Sequence, residues 1–585
     1  MIDLTSPFVL LDDVRAEGAQ PARLYQRPME VIEAREPEAV REALDRLREA
    51  PRRGLHAAGF LSYEAGHALE RKLAPLAGQA PPHAPPLLWF ALFERHEQVE
   101  QVGALLPDPE SAWVSAPSPL IDRSAYEAAV ARVKAHIEAG DVYQANLTFA
   151  SEVATAGNPL AVYASVRARA RAGFGAVVFT GQHWLLSFSP ELFFTIEQGR
   201  ITTRPMKGTA ARGHDDKAAI EALRGDPKQR AENLMIVDLL RNDLSKVSKP
   251  GTVNVPALFE IETYPTVHQM TSTVTAELEE GVGPVDAIEA IFPCGSITGA
   301  PKIRAMEIVA DVENHRRGAY TGSIGRLDPD GDAAFNVAIR TLVMEAGTDR
   351  AVLGLGSGIV ADSSADSEWR ECLAKGAFVA DPHRQFDLIE TMRFDPHEGL
   401  LELERHLARL KASAQALGFT FDRHGARNEL QAATFRLREP RRIRLLLSRT
   451  GMLSLEGRPL PDPLPKPVEV AVVPLPVASD DFRLRHKTSD RAFYDEARKK
   501  SGKAEVLFQD KDGFLTEGSF THIFVERGGR LLTPPLSRGL LPGILRARLI
   551  QEGEAEEKDL TPTDLASGFY IGNVLRGLMR AALCQ

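Results

Sequence analysis

The chain has 585 residues, 44% of them hydrophobic and 26% charged, the balance of folded globular protein rather than of disorder or a membrane bundle. At roughly 150 residues per domain, that length suggests about four domain-sized units, more safely two or three. Seventy Lys and Arg against 80 Asp and Glu leave a net charge of −10 with no long basic block, which argues against a phosphate-backbone binder and a nucleic-acid partner.

Three cysteines, Cys294, Cys372 and Cys584, are too few for a disulfide framework, and their spacing matches no zinc pattern. The opening run MIDLTSPFVLLDDVRAEG lacks the basic and apolar regions of a signal peptide. No stretch approaches about 18 uninterrupted apolar residues. The expectation is a soluble cytoplasmic enzyme with no membrane partner.

In chain order, the proline-rich run at 78–86 predicts a surface loop. Ser124-Ala-Tyr-Glu127 predicts a capping box that opens a helix, with Val130, Val133 and Ile137 on one face and Gly140 closing it. Strand-like runs follow, including GAVVFTG and HWLLSFSPELFFTI. A helix is predicted over about 228–247, then glycine-punctuated strands up to GLGSGIVADSSA. No repeat of fixed period appears, so a solenoid is not expected.

A second unit is predicted from residue 382, giving a division into 1–381 and 382–585. It opens with FDLIETMRF as a strand and a helix carrying Leu403, Leu407, Leu410 and Leu417 on one face. The proline-rich run at 459–467 is too stiff for a helix or central strand and reads as a linker between two lobes. A hairpin series with turns at DKDG and ERGG follows.

Three segments of the first unit carry chemistry. Glu191 lies sixteen residues before Lys207, Glu232 opens a helical run, and Glu368, Glu371 and Lys375 share one helix face. Taken singly these are ordinary: a solvated Glu–Lys pair is worth a few tenths of a kcal/mol. The run PCGSITGAPK resembles an anion-cradling loop before a helix.

Together the segments resemble the chorismate-binding family over about residues 120–380. That family includes anthranilate synthase large subunits, aminodeoxychorismate synthase component I and the isochorismate synthases. The likeness rests on Pro205-Met-Lys-Gly-Thr209, Ala231-Glu-Asn-Leu-Met235 with Asp238-Leu-Leu-Arg-Asn-Asp243, residues 295–302, Arg317-Gly-Ala-Tyr320, Ile339-Arg340 and Glu368-x-x-Glu371-x-x-x-Lys375.

The resemblance implies an α+β fold of packed antiparallel sheets with helices, and chorismate as substrate. It implies Mg²⁺ on Glu232 and Glu371, with Glu368 as a nearby or additional ligand, clamping the ring carboxylate. Lys375 and backbone N–H groups near Gly358 would complete that site, while Arg340 and Tyr320 would hold the enolpyruvyl carboxylate.

Position 207 discriminates within the family. Aminodeoxychorismate synthases that use a covalent lysine carry it here, where anthranilate synthases typically have alanine. Lys207 would attack ring C2, the 4-hydroxyl would leave with a proton from Glu191, and ammonia would add at C4 and expel the lysine. Two departures stand out: Gln269 occupies the family's usual histidine position, beside His268, and Leu10-Leu-Asp-Asp13 replaces the tryptophan-feedback motif. No cysteine sits in a Gly-x-Cys-x-Gly elbow, so ammonia would come from a separate glutamine amidotransferase subunit or from free ammonia.

In the second unit, His406-Leu-Ala-Arg409, Lys487, Leu515-Thr-Glu-Gly-Ser519, Gly539-Leu-Leu-Pro-Gly-Ile-Leu-Arg546 and Gly572-Asn573 resemble the class IV pyridoxal-phosphate family over about 384–582. This implies a two-lobed α/β fold and pyridoxal 5′-phosphate anchored by Lys487. Glu517 would face the ring nitrogen, with Arg409 and the helix N-terminus at Gly543, Ile544 and Leu545 on the phosphate.

The tyrosine that branched-chain aminotransferases carry five residues after the lysine is replaced by Ala492. Thr391 and Asn573 match positions of the aminodeoxychorismate lyases. The strands leading into the motif look shortened, an edge for the first unit or a second copy to cover. The combined expectation is a synthase–lyase fusion making 4-aminobenzoate for folate, paired as a homodimer through the C-terminal unit. Two alternatives stay open: a class IV aminotransferase in the second unit, or a catalytically silent chorismate-binding scaffold in the first.

Overall fold

Alternating burial writes the sheets of the first unit. Val9 and Tyr25 from one sheet and Phe60 and Trp89 from another pack into a single core, so two sheets close face to face. In this computed structural model, which describes residues 2–15, 18–213, 215–263 and 267–584, the first unit comprises 1–106, 116–153 and 163–380.

Among the described residues one of its sheets has eleven strands, with Gln144–Ala156, Arg350–Ile359, Thr341–Glu345, His183–Ser189 and Phe174–Phe179 in adjacent order; the other has ten, with Met206–Ala211, Val267–Glu277, Arg200–Arg204 and Leu192–Glu197 together at one side. The strand pairs that set the sites run antiparallel. The outer face of the ten-stranded sheet is covered by helices whose Val40, Leu44, Ile236, Leu240 and Ile288 share its core.

The run HWLLSFSPELFFTI is two strands, not one. His183–Ser189 belongs to the eleven-stranded sheet and Leu192–Glu197 to the ten-stranded sheet. Pro190 cannot donate to a ladder, so the chain leaves one sheet and enters the other at Pro190-Glu191. The capping box at Ser124 does not form either. The helix Arg123–Glu138 starts one residue earlier, on Asp122, and Glu127 is drawn instead to Arg123 at 2.9 Å.

The second unit joins residues 381–585 with two short pieces from earlier in the chain, 107–115 and 154–162. It contains a four-stranded sheet around Leu388–Asp395 and Arg441–Leu447, and an eight-stranded mixed sheet starting at Val468–Pro474. The proline-rich stretch runs between the two sheets. Trp113 explains why the early pieces belong to this unit. Its indole is 2% exposed, sits edge-on to Phe386 at 4.7 Å, lies under Arg449 at 4.6 Å and donates to the Leu417 carbonyl at 2.9 Å.

Trp113→Ala should therefore lower the unfolding free energy of the second unit by about 3–5 kcal/mol. Denaturant unfolding checks this, and an unchanged midpoint would mean the indole contributes nothing net.

Candidate active sites

The crossing between sheets builds the first site. The Ser189 hydroxyl donates to the Val337 carbonyl at 2.6 Å and receives the Glu191 N–H at 3.2 Å, fixing the bend. Glu191 is left 6% exposed, with Oε1 accepting from the Ser296 hydroxyl at 2.6 Å. Burial pushes its carboxyl up to about 7, against the pull of Ser296, Lys207 and Lys375.

Lys207 is aimed by a bulge. The register of Met206–Ala211 against Val267–Glu277 slips between Met206 and Thr209, and Gly208 takes φ +105°, which a side chain would strain. Asn233, fully buried, donates to the Lys207 carbonyl at 3.1 Å. The Lys207 Nζ then lies 3.3 Å from Glu232 Oε2. It also stands 3.1 Å from where a Cβ on Gly358 would be, and the Gln144 amide stands 2.7 Å from it, so the two side-chain tips would have to give way to a larger residue there. Glu232 comes from the helix Pro227–Ser245, capped by Asp226 at 2.8 and 3.1 Å.

The glycine run on Arg350–Ile359 brings the other residues close. A Cβ on Gly354 would meet the Tyr320 ring at 2.1 Å. The Lys375 amine donates to the Gly356 carbonyl at 3.0 Å and pairs with Glu371 at 2.8 Å. Burial opposes the charge on Glu371, and Lys375, Lys207 and Lys228 outweigh it, so that carboxyl lies below its ordinary range. Glu368 is half-buried one turn earlier on the same helix. Arg340, in the left-handed region at φ 50°, sits 5.7 Å from the Phe378 ring.

Gln269, not His268, faces the lysine strand: its Oε1 accepts from Thr209 at 3.0 Å. His268 points to the other face, 3.2 Å from Asp216, as strand alternation requires. Lys302 of the PCGSITGAPK run is tied to Asp243 at 2.5 Å and to the Ile291 carbonyl at 2.7 Å, so it is engaged in structure rather than left open to an anion.

Carboxylate oxygens are the donors a hard cation takes, and Glu232 and Glu371 supply them, each now held by a lysine. Among the described residues no three His, Cys, Asp or Glu side chains gather as a metal site. A cation here would complete its shell with substrate and water, as Mg²⁺ does.

The second site surrounds Lys487, whose carbonyl accepts the Ile389 N–H at 2.8 Å. Burial and the guanidiniums of Arg409 and Arg491 bring the Lys487 ammonium down to about 7. A cavity of about 40 Å³ is lined by Lys487, Arg491, Tyr494, Glu517, Phe520 and His522 among others. Glu517 is 4% exposed, accepts from the Tyr494 hydroxyl at 2.5 Å and from the Leu541 N–H at 3.2 Å, and is pushed up to about 7 by burial.

Arg409 is gripped by Glu390 at 2.9 and 2.6 Å and donates to the Pro542 carbonyl at 3.1 Å. Burial disfavours the charge on Glu390, but Arg409 and His406 bring its carboxyl down to about 2. The guanidinium is thus fixed beside Gly543, which precedes the helix Ile544–Gln551 and has no side-chain cap. The first N–H groups of that helix, at Ile544 and Leu545, lack intrahelical partners. Gly543 is required by closeness: a Cβ there would stand 2.0 Å from His522 Nε2.

A partly neutral amine, a buried carboxyl and a guanidinium beside a helix N-terminus fit an aldehyde, a ring nitrogen and a phosphate. Thr391 stands opposite Arg444 in its ladder. Asn573 donates at 3.0 Å to the carbonyl of Phe520, a residue that lines the cavity.

Sequence reasoning missed Ser296, Asn233, Glu390 and Tyr494. Tyr494 had a signal: Phe493-Tyr494 is an aromatic pair in the otherwise charged helix Ala492–Ser501.

Residues 6–381, well over half of the chain, match the model described as chorismate binding enzyme. The chain belongs to that family. Residues 387–584 match the amino-transferase class IV model, which implies pyridoxal phosphate. The chorismate-binding unit is 41% identical over 275 residues to the aminodeoxychorismate synthase component 1 of Salmonella typhimurium, 46% of this chain and 59% of the relative. It is 37% identical over 340 residues to that of Klebsiella aerogenes, 54% and 75%. The matched stretch thus spans less than two-thirds of the Salmonella relative's length. Anthranilate synthase component I from Streptococcus pneumoniae superposes with TM-score 0.54 at 26% identity, covering 65% of this chain and 93% of that one. Among the described residues no helix is long and apolar enough to cross a membrane.

Glu191 should remain protonated to near neutrality, losing its proton as pH rises through about 7. Infrared titration should show a protonated-carboxyl band that fades with that midpoint and is missing in Glu191→Gln. Identical spectra for the two proteins would remove the assignment.

Proposed function

We propose that the chorismate-binding unit aminates chorismate to 4-amino-4-deoxychorismate, and that the second unit eliminates pyruvate from it to give 4-aminobenzoate for folate synthesis. The observation that carries this reading is the pairing of an amine with a buried acid. Lys207 lies against Glu232 at 3.3 Å and the Gly358 backbone, and Glu191, in its electrostatic reach, keeps its proton to about pH 7.

Lys207, once neutral, attacks ring C2, and the ring double bonds shift as the 4-hydroxyl leaves as water with the Glu191 proton. Ammonia then adds at C4 and the C2–lysine bond breaks, restoring the ring diene. Arg340 and Tyr320 hold the enolpyruvyl carboxylate, while Lys375 and the Gly358 backbone hold the ring carboxylate. Mg²⁺ on Glu232 and Glu371, with Glu368 nearby, would neutralise charge on that ring carboxylate.

The ammonia comes from a separate glutamine amidotransferase. The relatives' name, component 1, supports a second component. So does Cys294, a buried thiol which burial and the Glu191 charge push up to about 12, too high for a nucleophile.

In the second unit, bound pyridoxal phosphate would supply an electron sink for negative charge at the substrate carbon bearing the amine. Arg409 and the helix N-terminus after Gly543 hold the phosphate, and Glu517 stands opposite the ring nitrogen. Lys487 removes the proton from the amine-bearing carbon. Thr391 and Asn573 orient the substrate. Loss of enolpyruvate aromatises the ring, so no keto acid is needed for a second turnover.

Lys207→Ala should lower formation of aminodeoxychorismate from chorismate and ammonium by two or more orders of magnitude. A wild-type rate would dismiss the nucleophile, and a rate indifferent to chelator would dismiss Mg²⁺.

Lys487→Ala should accumulate aminodeoxychorismate while the first unit keeps working. Given aminodeoxychorismate and no keto acid, the unaltered protein should release pyruvate and 4-aminobenzoate over many turnovers. A single turnover that resumes only with 2-oxoglutarate would mean an aminotransferase.

A further inference from the structure

We infer that Tyr494 is the positioning residue of the second site, holding the Glu517 carboxylate in the orientation and charge state that a protonated ring nitrogen requires. The inference rests on the reading of that unit as a pyridoxal-phosphate enzyme, and it assigns a task to a residue outside the expected set.

The geometry is specific. Each Glu517 oxygen has its own donor, the Tyr494 hydroxyl on Oε1 at 2.5 Å and the Leu541 N–H on Oε2 at 3.2 Å. A carboxylate has about four lone-pair sites, so two donors fix its plane and leave acceptor capacity for a cationic N–H. The Tyr494 hydroxyl cannot drift, because the residue is 4% exposed and its ring is clamped by Phe493 at 4.3 Å, Phe508 at 5.4 Å and the Arg491 guanidinium at 4.9 Å. Backbone connectivity adds to this: Tyr494 sits seven residues after Lys487, in the first turn of the helix that follows it. The amine and the orienter of its electrostatic partner are therefore carried on one short segment.

The chemistry agrees. Burial, with the Glu517 charge added, drives the phenol well above its ordinary range, so Tyr494 stays a donor. Hydrogen bonds donated to the ionised carboxyl favour that form and oppose the burial that pushes Glu517 up to about 7. Other groups facing Glu517 are Arg491 and Lys487, which favour its charge, Glu505 on the adjoining strand, which disfavours it, and His522, with Nδ1 3.8 Å away. Removing the phenol hydroxyl strips the shortest of these contacts and leaves Oε1 bare, so the carboxyl should titrate at higher pH.

Tyr494→Phe keeps the ring and its packing, so the full chain should unfold at nearly the wild-type temperature. Pyridoxal phosphate should then be titrated into the apoprotein at several pH values, followed by its visible absorption and by quenching of protein fluorescence. Near pH 7 the variant should bind about tenfold or more weakly, the size expected for a lost hydrogen bond to a charged group. The pH below which binding weakens should also move upward, because ionised Glu517 is populated only at higher pH. In a Glu517→Gln background the same substitution should add little, since the carboxylate it serves is gone.

Unchanged affinity and midpoint in Tyr494→Phe would overturn the inference, as would an equal loss in the Glu517→Gln background. Failure of the wild type to bind pyridoxal phosphate would instead overturn the reading beneath it.

Discussion

Removal of ionisable groups from water is the constraint on which both sites depend. Glu191 and Glu517 would be ionised in solvent and Lys487 would be cationic, yet burial brings all three to about 7. At that value a group gives or takes a proton with little bias at neutral pH. The same burial makes every hydrogen bond to these groups consequential, since an unpaired charge away from water is costly. Ser296 on Glu191, and Tyr494 with Leu541 on Glu517, are therefore integral to the sites.

The architecture achieves that burial by letting the backbone approach closely. Gly354 takes the Tyr320 ring, Gly358 leaves room for the Lys207 amine, and Gly543 makes room for His522. Each is a place where a Cβ would displace a functional group. The bulge at Lys207-Gly208 and the crossing at Pro190-Glu191 do related work on the backbone, aiming one side chain and sinking another between layers. Lys207 is set by its strand ladder, Glu232, Glu371 and Lys375 by two helices, and Glu191 by the crossing between the sheets.

Much of this was legible in the chain. The helix Leu403–Leu417 buries Leu407, Leu410 and Leu417 as its periodicity requires, and the glycine pair at 528–529 turns a hairpin with positive φ at both residues. Lys207, Glu232, Glu371 and Lys375 come together because ordered motifs carry a family's geometry with them. The single run across Pro190 misled, because hydrophobic alternation persists when a chain changes sheets and says nothing of which sheet it joins. Trp113 could not be assigned from sequence either: an apolar residue announces that it will be buried, not which core will bury it.

The sequence by itself supplied the candidate site residues, the cofactor class of the second unit and the likeness to chorismate-binding enzymes, since these follow from residue type and ordered motifs. Only the tertiary structure decided protonation, orientation and partnership. It drew residues 107–115 and 154–162 into the second unit, turned Gln269 rather than His268 toward the lysine strand, and brought Tyr494 to Glu517 across 23 positions of sequence. The physical reason is that desolvation and hydrogen-bond pairing depend on which groups meet in space, and contacts between distant segments are set by packing rather than by any local pattern.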